Sequence, residues 1–230
     1  MISILLTLSL LAFSTPTVAQ DQPVVVELFT SQGCSSCPPA DAIISRLATR
    51  DDVIPLALHV DYWDYLGWPD RFASAAFSGR QRAYAKAANK RTVYTPQVVV
   101  QGVSHAIGNR AHQVQNLIAF HANRPDMVEI DLHRSNGMLV VGLRAINGPV
   151  GRSVVQLVRF VPEKTVQIRA GENAGRQIVY SNIVTYWKPI LSWNGRSSVA
   201  TRAKITGPEP VVVLVQSEGF GPIIAAKVLR

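Results

Sequence analysis

The chain has 230 residues, of which 47% are apolar, and its 23 basic and 15 acidic side chains leave a net charge of +8. That apolar share supports a sizeable core and excludes a disordered, collagen-like or coiled-coil chain, while 17% charged residues give no signature of nucleic-acid binding. Two cysteines are too few for a disulfide-stapled scaffold or a four-thiolate zinc site.

Residues 1–20 contain no charged side chain, and apolar side chains dominate 2–13 before the break at Ser14-Thr15-Pro16. With small Thr17 and Ala19 ahead of polar Gln20, the segment reads as a secretory signal peptide cleaved near Ala19. The other reading is an uncleaved anchor, but the run is shorter than the ~20 residues a bilayer span needs. No later stretch is apolar enough to span. The mature chain is therefore expected in an oxidising compartment, periplasmic or secreted, with no stable membrane span after cleavage.

Strand and helix patterns then alternate. Residues 24–29 read as a buried strand, and 38–50 as a helix carrying Ile43, Ile44 and Leu47 with prolines in its first turn. Residues 53–60 are a second strand, and 70–89 place Phe72, Phe77, Ala83 and Tyr84 on one helical face. Strands at 97–101 and 103–107 flank Gly102, and Asn109 is expected to cap a helix bearing Val114, Leu117 and Ile118. The order βαβαββα is an α/β architecture.

The pattern changes at Met127. Val128, Ile130 and Leu132 alternate with Glu129, Asp131 and His133, and Ser135-Asn136-Gly137 reads as a hairpin turn into 139–143. Further strands are expected at 154–161, 165–169, 198–205, 211–215 and 223–229, which together argue for an antiparallel β-sandwich-like part. Residues 21–126 hold 10 basic and 9 acidic side chains, whereas 127–230 hold 13 and 6. The expected organisation is a signal peptide at 1–20, an α/β domain at 21–126 and a β-rich domain at 127–230.

Cys34-Ser35-Ser36-Cys37 stands between the first strand and the first helix. Backbone N–H groups at a helix N-terminus stabilise a thiolate, so this placement favours an exposed, reactive Cys34 with Cys37 one turn below it. Two such thiols can close a reversible disulfide. A zinc ribbon would need a second cysteine pair.

With this motif at that junction, residues 21–126 resemble a thioredoxin-type domain, and Thr95-Pro96 stands before the third strand, where that family carries a cis-proline beside the sulfurs. The runs Val26-Glu27-Leu28-Phe29-Thr30-Ser31-Gln32-Gly33-Cys34-Ser35-Ser36-Cys37-Pro38-Pro39-Ala40-Asp41 and His59-Val60-Asp61-Tyr62-Trp63-Asp64 resemble the narrower DUF1223 family of bacterial secreted proteins, thioredoxin-like with a C-terminal β-rich part. The resemblance implies a substrate groove shaped by Pro96. Two departures from thioredoxins stand out: Ser35-Ser36 between the cysteines, which leaves redox direction open, and Gly33 where an aromatic residue is usual.

Glu27 lies in an otherwise apolar strand and is expected either as a buried acid able to take the proton of Cys37 or as a solvated edge residue. Asp61, Tyr62 and Trp63 end the second strand on the rim that also carries Cys34, so with Thr95 they form an expected substrate groove, or they are simply packed. Strand alternation allows only one of His59 and Asp61 to face the cysteines. The segment 172–176 reads as a turn-rich loop.

The function these residues favour is an exported thiol–disulfide oxidoreductase-like activity. Cys34 would be the nucleophile and Cys37 the resolving thiol, with a protein thiol or disulfide of the cell envelope as partner and no bound cofactor. One alternative is a non-catalytic binding module with a structural disulfide. A second is a Cu(I) carrier using Cys34, Cys37 and His59 or His105.

Overall fold

The computed structural model describes residues 22–230, and the expected signal peptide and its cleavage point lie outside them. Among the described residues no helix is long and apolar enough to cross a membrane.

The first strand, β1 (Val24–Thr30), and the second, β2 (Val53–His59), are buried along their whole length, as parallel strands covered on both faces must be. They pair in parallel from Val24↔Val53 to Thr30↔His59. Helix α1 (Pro38–Leu47) joins them, its prolines at the start where a missing N–H breaks no bond. It lays Ala40, Ile43, Ile44 and Leu47 on Val24, Val26 and Leu28. Helix α2 (Ala75–Ala87) covers the opposite face, where Val25 and Phe29 meet Phe77 and Tyr84. It starts later than the expected residue 70 because Ser74 is its cap, accepting from the Ala76 N–H.

Antiparallel β3 (Gln97–Val100) and β4 (Ser104–Ile107) complete this part, followed by α3 (Ala111–Ala122). The expected cap Asn109 is displaced: Arg110 holds the N-cap position and no side chain caps the helix.

Beyond residue 127 two strand groups diverge. Strands β5 (Val128–Ser135), β6 (Met138–Ala145) and β9 (Val199–Lys204) form a three-stranded antiparallel sheet. Its hairpin turns through Asn136 and Gly137, with φ of 49° and 73°, as a two-residue turn between twisted strands requires. Strands β7 (Ser153–Gln167), β8 (Gln177–Trp193), β10 (Val211–Ser217) and β11 (Ile223–Leu229) instead extend the first sheet, giving the order β11-β10-β7-β8-β2-β1-β3-β4. The fold is a mixed α/β architecture with a large eight-stranded sheet and a second antiparallel sheet. The small sheet packs Val128, Ile130, Leu139 and Val141 against Val155, Leu157, Val211 and Val213 of the large one. The sandwich is present, and one of its two sheets continues through the expected boundary at residue 126 into the α/β part.

Two long strands create that continuity. Residues 154–161 and 165–169 were expected as separate strands, and 177–193 as none. The structure joins the first pair in β7 and pairs it with β8 from Ser153↔Trp193 to Gln167↔Gln177. Pro162 and Pro189 lie within these strands, although proline cannot donate to a ladder. Here Pro189 pairs beside a register shift at Val155/Gln156, while Pro162 lies opposite Asn182, whose φ is 49°. Asn182 also donates its side-chain amide to the Pro55 carbonyl of β2 at 2.8 Å. The parallel β2–β8 pairing runs through Ala57↔Ile183.

Under α2 the two parts of the chain meet at one charge. Arg80 binds both carboxylate oxygens of Glu27 (2.6 and 3.0 Å) and reaches Gln156 of β7 (3.2 Å) and Gln216 of β10 (3.3 Å). Its guanidinium carbon lies 3.8 Å from the centroid of the Trp187 ring on β8. Tyr84 donates to Glu27 at 2.6 Å. Removing one partner of a buried ion pair leaves an uncompensated charge. Glu27→Gln is therefore expected to lower unfolding free energy by about 3–5 kcal/mol in chemical denaturation. A loss under about 1 kcal/mol, the scale of an exposed ion pair, would contradict this picture.

Candidate functional site

The turn after β1 places Cys34 and Cys37 ahead of α1 in a disulfide, with Cα atoms 5.4 Å apart. Cys37 is the N-cap residue of α1, and Cys34 lies in the turn before it. Both are buried, contrary to the exposed Cys34 expected from the sequence: Cys34 is 5% exposed and Cys37 0%. The cover is the segment between β7 and β8. Asn173 donates its amide to the carbonyls of Gln32 and Cys34, each at 2.9 Å, and Glu172 accepts from the Ser35 N–H at 3.2 Å. These contacts reach across more than a hundred residues of chain, so local turn propensity carried no sign of them.

The Thr95–Pro96 peptide is cis. Gly108 fixes where the proline sits. A Cβ there would lie 3.0 Å from both Pro96 Cβ and Leu28 Cδ1 and 3.2 Å from Ala40 Cβ. A side chain at residue 108 would push these neighbours apart by a few tenths of an ångström, and glycine lets the proline and the first turn of α1 approach closely. Thr95 accepts from Trp63 Nε1 at 2.7 Å, which holds the indole beside that peptide. The missing side chain at Gly33 has a similar cause, since a Cβ there would stand 3.2 Å from the Trp63 carbonyl.

The remaining expected groove residues divide. Tyr62 donates to Gln81 on α2 at 3.0 Å, and burial pushes its hydroxyl up to about 12 despite that bond. Asp61 accepts from the Ser78 hydroxyl, also on α2. His59 points to the other side of β2, so the alternation separates His59 from Asp61. Tyr65 is the exposed member of this aromatic run and stacks at a tilt on Trp63, with centroids 6.4 Å apart.

Glu27 requires a correction. It is buried, but strand alternation places it with Val25 and Phe29 on the α2 face, while α1 lies on the other. Both its oxygens are held by Arg80 and Tyr84. It is the counter-ion of Arg80, and the acid beside the cysteines is another residue.

That acid is Asp41, one helical turn after Cys37 and on the buried stripe of α1. Its Oδ1 accepts from Thr30 at 2.9 Å, and its Oδ2 has no partner. Burial raises its carboxyl to about 7, against the opposing influence of His59 and the Thr30 bond. His59 lies behind it, with Nδ1 2.6 Å from Asp70 and Nε2 unpartnered. Burial pushes Asp70 upward too, but His59 and the N–H groups of Gln32 and Phe72 outweigh it and leave its pKa below the ordinary carboxylate range. An ionised Asp70 can only accept, so Nδ1 of His59 carries the hydrogen. Phe72 and Tyr180 meet the imidazole edge to face, with centroids at 5.3 and 5.0 Å. Two carboxyls thus sit in one buried cluster with their pKa values driven apart, Asp41 upward to about 7 and Asp70 below the ordinary carboxylate range. The sequence signal was a charged residue on the apolar stripe of 40, 43, 44 and 47. Asp70 and Asn173 carried none. Among the described residues no group of three His, Cys, Asp or Glu is placed to hold a metal ion.

This site, a disulfide at a strand-to-helix junction with a cis-proline and a buried polar cluster, defines a mixed α/β protein built around a Cys-x-x-Cys pair. The chain belongs to the DUF1223 family, described as a protein of unknown function, whose match spans residues 25–216. No curated protein matches it. The crystal structure of protein AGR_C_4864 from Agrobacterium tumefaciens superposes with a TM-score of 0.77 at 29% identity, covering 92% of this chain and 96% of that one. HBP35 of Porphyromonas gingivalis gives a TM-score of 0.59 at 14% identity over 91% of this chain and 75% of that one, a likeness of fold.

The elevated carboxyl has a sign that can be checked. Asp41 holds its proton more tightly in the folded protein than in the unfolded chain, so the folded state binds more protons between the ordinary carboxylate range and about pH 7. Stability of the oxidised protein is expected to be greatest at the acid end of that window and to fall as pH rises through it, by roughly 1.4 kcal/mol per unit where the difference is complete. Asp41→Asn is expected to flatten the slope in denaturation series between those pH values. An unchanged slope in the variant would contradict the assignment.

Proposed function

We propose that this protein is an exported thiol–disulfide oxidoreductase with a thioredoxin-like core, acting on thiols or disulfides of cell-envelope proteins. The observation that carries the reading is the Cys34–Cys37 disulfide, formed where β1 gives way to α1, with the cis Thr95–Pro96 peptide packed against the same helix through Gly108. The order β2-β1-β3-β4, with β1 and β2 parallel and β3 and β4 antiparallel to their neighbours, supports the thioredoxin-like core.

In this reading Cys34 is the nucleophile, being the less buried sulfur and lying ahead of the helix N-terminus. Cys37 is the resolving thiol, and Pro96, Thr95 and Trp63 border the groove. The export signal at 1–20 supports an oxidising location in the periplasm or outside the cell, where such a pair cycles.

One observation favours a second reading. Both cysteines are buried, and Glu172 and Asn173 hold the backbone around Cys34, which fits a non-catalytic thioredoxin-like module with a permanent disulfide. Trapping separates the two. Cys37→Ser is expected to accumulate mixed disulfides with envelope proteins at Cys34, because the nucleophile survives and nothing resolves the adduct. Cys34→Ser should accumulate none. Equal absence of adducts from both variants, with wild-type protein oxidised throughout, would hand the site to the structural reading.

A further inference from the structure

We propose that residues 171–175, the tip of the connection between β7 and β8, form an autoinhibitory strap that lifts as a unit, without unfolding of the domain, to admit a partner sulfur to Cys34. This deepens the redox reading above and rests on it.

Exchange requires an incoming sulfur to reach Cys34 along the axis of the disulfide bond. Cys34 is 5% exposed, although Ser35 and Ser36 beside it are open to solvent. The strap closes this turn from outside. The Asn173 amide donates to the carbonyls of Gln32 and Cys34, each at 2.9 Å, and the Ser35 N–H donates to the Glu172 carboxylate at 3.2 Å. Residues 169–172 and 174–176 are exposed while Asn173 is 1% exposed, so Asn173 is the pin that holds the segment down.

The backbone divides into a firm neck and a hinged tip. Ile168 donates to the Arg176 carbonyl and accepts from Gly175, each at 2.9 Å, which closes the neck. Ile168 itself is buried with Val166, Ile178 and Tyr180, and Trp68 packs against them. Beyond the neck the tip is bracketed by Gly171 and Gly175, with φ of 74° and 82°. A Cβ at Gly175 would meet nothing within 4 Å, so glycine serves the backbone there and not the packing. Inside the bracket Ala174 donates to the Gly171 carbonyl at 3.1 Å, a bond that travels with the tip when it moves. Hinges are a few such loop positions flanking a segment that keeps its own bonds.

The pin is set to release. Both donors of the Asn173 amide are used, but its Oδ1 is buried without a partner, and the desolvation of that oxygen offsets what the two bonds contribute. A permanent staple would pair both ends of the amide. The Glu172 bond lies at the exposed surface, where water replaces it readily. The limb leaving the tip has room beside it as well. An open groove of about 620 Å³ separates Arg176, Gln177 and Val179 from Pro38, Ala42 and Ser45 of α1. The strap is thus held by two side chains over the disulfide turn and is free along its flank.

The test times reduction of the full-length oxidised protein by tris(hydroxypropyl)phosphine, an uncharged reagent, through the thiols released. Phosphorus attacks the Cys34 sulfur, the S–S bond breaks, and Cys37 leaves as a thiolate. Water then delivers its oxygen to phosphorus and its protons to the two sulfurs, so the disulfide gains two electrons and the phosphine becomes its oxide. Asn173→Asp keeps the side-chain shape but loses both donors, and it is expected to be reduced roughly tenfold faster than wild type, the equivalent of about one net hydrogen bond. Glu172→Ala is expected to gain about threefold, as befits an exposed contact. The wild-type rate is expected to stay nearly flat in urea below the unfolding transition, because local opening exposes little surface. If Asn173→Asp does not fold, Glu172→Ala and the urea series decide. Unchanged rates in the variants that fold, or a wild-type rate that climbs with urea in step with the unfolded fraction, would overturn the proposal. Failure of the redox reading looks different: Asn173→Asp combined with Cys37→Ser would trap no envelope protein even though the phosphine rates behaved as expected. The strap would then guard no exchange, and the proposal would fall with that reading.

Discussion

Arg80 is the charge around which the chain closes. A buried guanidinium is tolerated only where its donors are met, and here they draw on β1 through Glu27, β7 through Gln156 and β10 through Gln216, while Trp187 of β8 covers its face. No single one of these elements could satisfy it. The requirement therefore ties α2 to strands from both parts of the sequence and makes the eight-stranded sheet one body. Burial opposes the charge on Arg80, and Glu27 and Tyr84 together outweigh that opposition.

The two faces of β1 carry different buried acids. Glu27 is committed to Arg80 on the α2 side, and on the α1 side Asp41 accepts from Thr30 at 2.9 Å. The added strands have a second consequence. The connection between β7 and β8 returns over the disulfide, where Asn173 grips the carbonyls on either side of Gly33. The long ribbon that extends the sheet thus also supplies the cover of the cysteines. Access to Cys34 is governed by residues far away in sequence.

Much of the first half was legible because its signals are local. The strand runs, the prolines opening α1 and the Cys-x-x-Cys spacing each report on a few neighbouring residues. The cis bond at Thr95–Pro96 was legible only through family resemblance, since nothing local distinguishes it. The long β7–β8 ribbon was obscured by Pro162 and Pro189, whose missing N–H groups are absorbed by a register shift and by the turn of backbone at Asn182. Glu27 was read as buried or solvated, and only the partner at residue 80 settles its role. A lone acid on an apolar strand says that something must pair with it, and sequence does not say what. Asp41 stands at the end of the family motif, yet its surroundings come from Thr30, His59 and Asp70 converging from three other segments. Polar clusters assembled across the fold are where one-dimensional reading stops.

The claim on which the functional account turns is that the Cys34–Cys37 bond cycles. The most direct measurement is its reduction potential, taken by equilibrating the full chain against a graded dithiol–disulfide buffer and quantifying free thiols. The account predicts a value above about −300 mV, within the span of disulfides that exchange with partner proteins. A value below about −300 mV, the range of permanent structural disulfides, would contradict it and leave Cys34–Cys37 as a staple beneath the Asn173 cover.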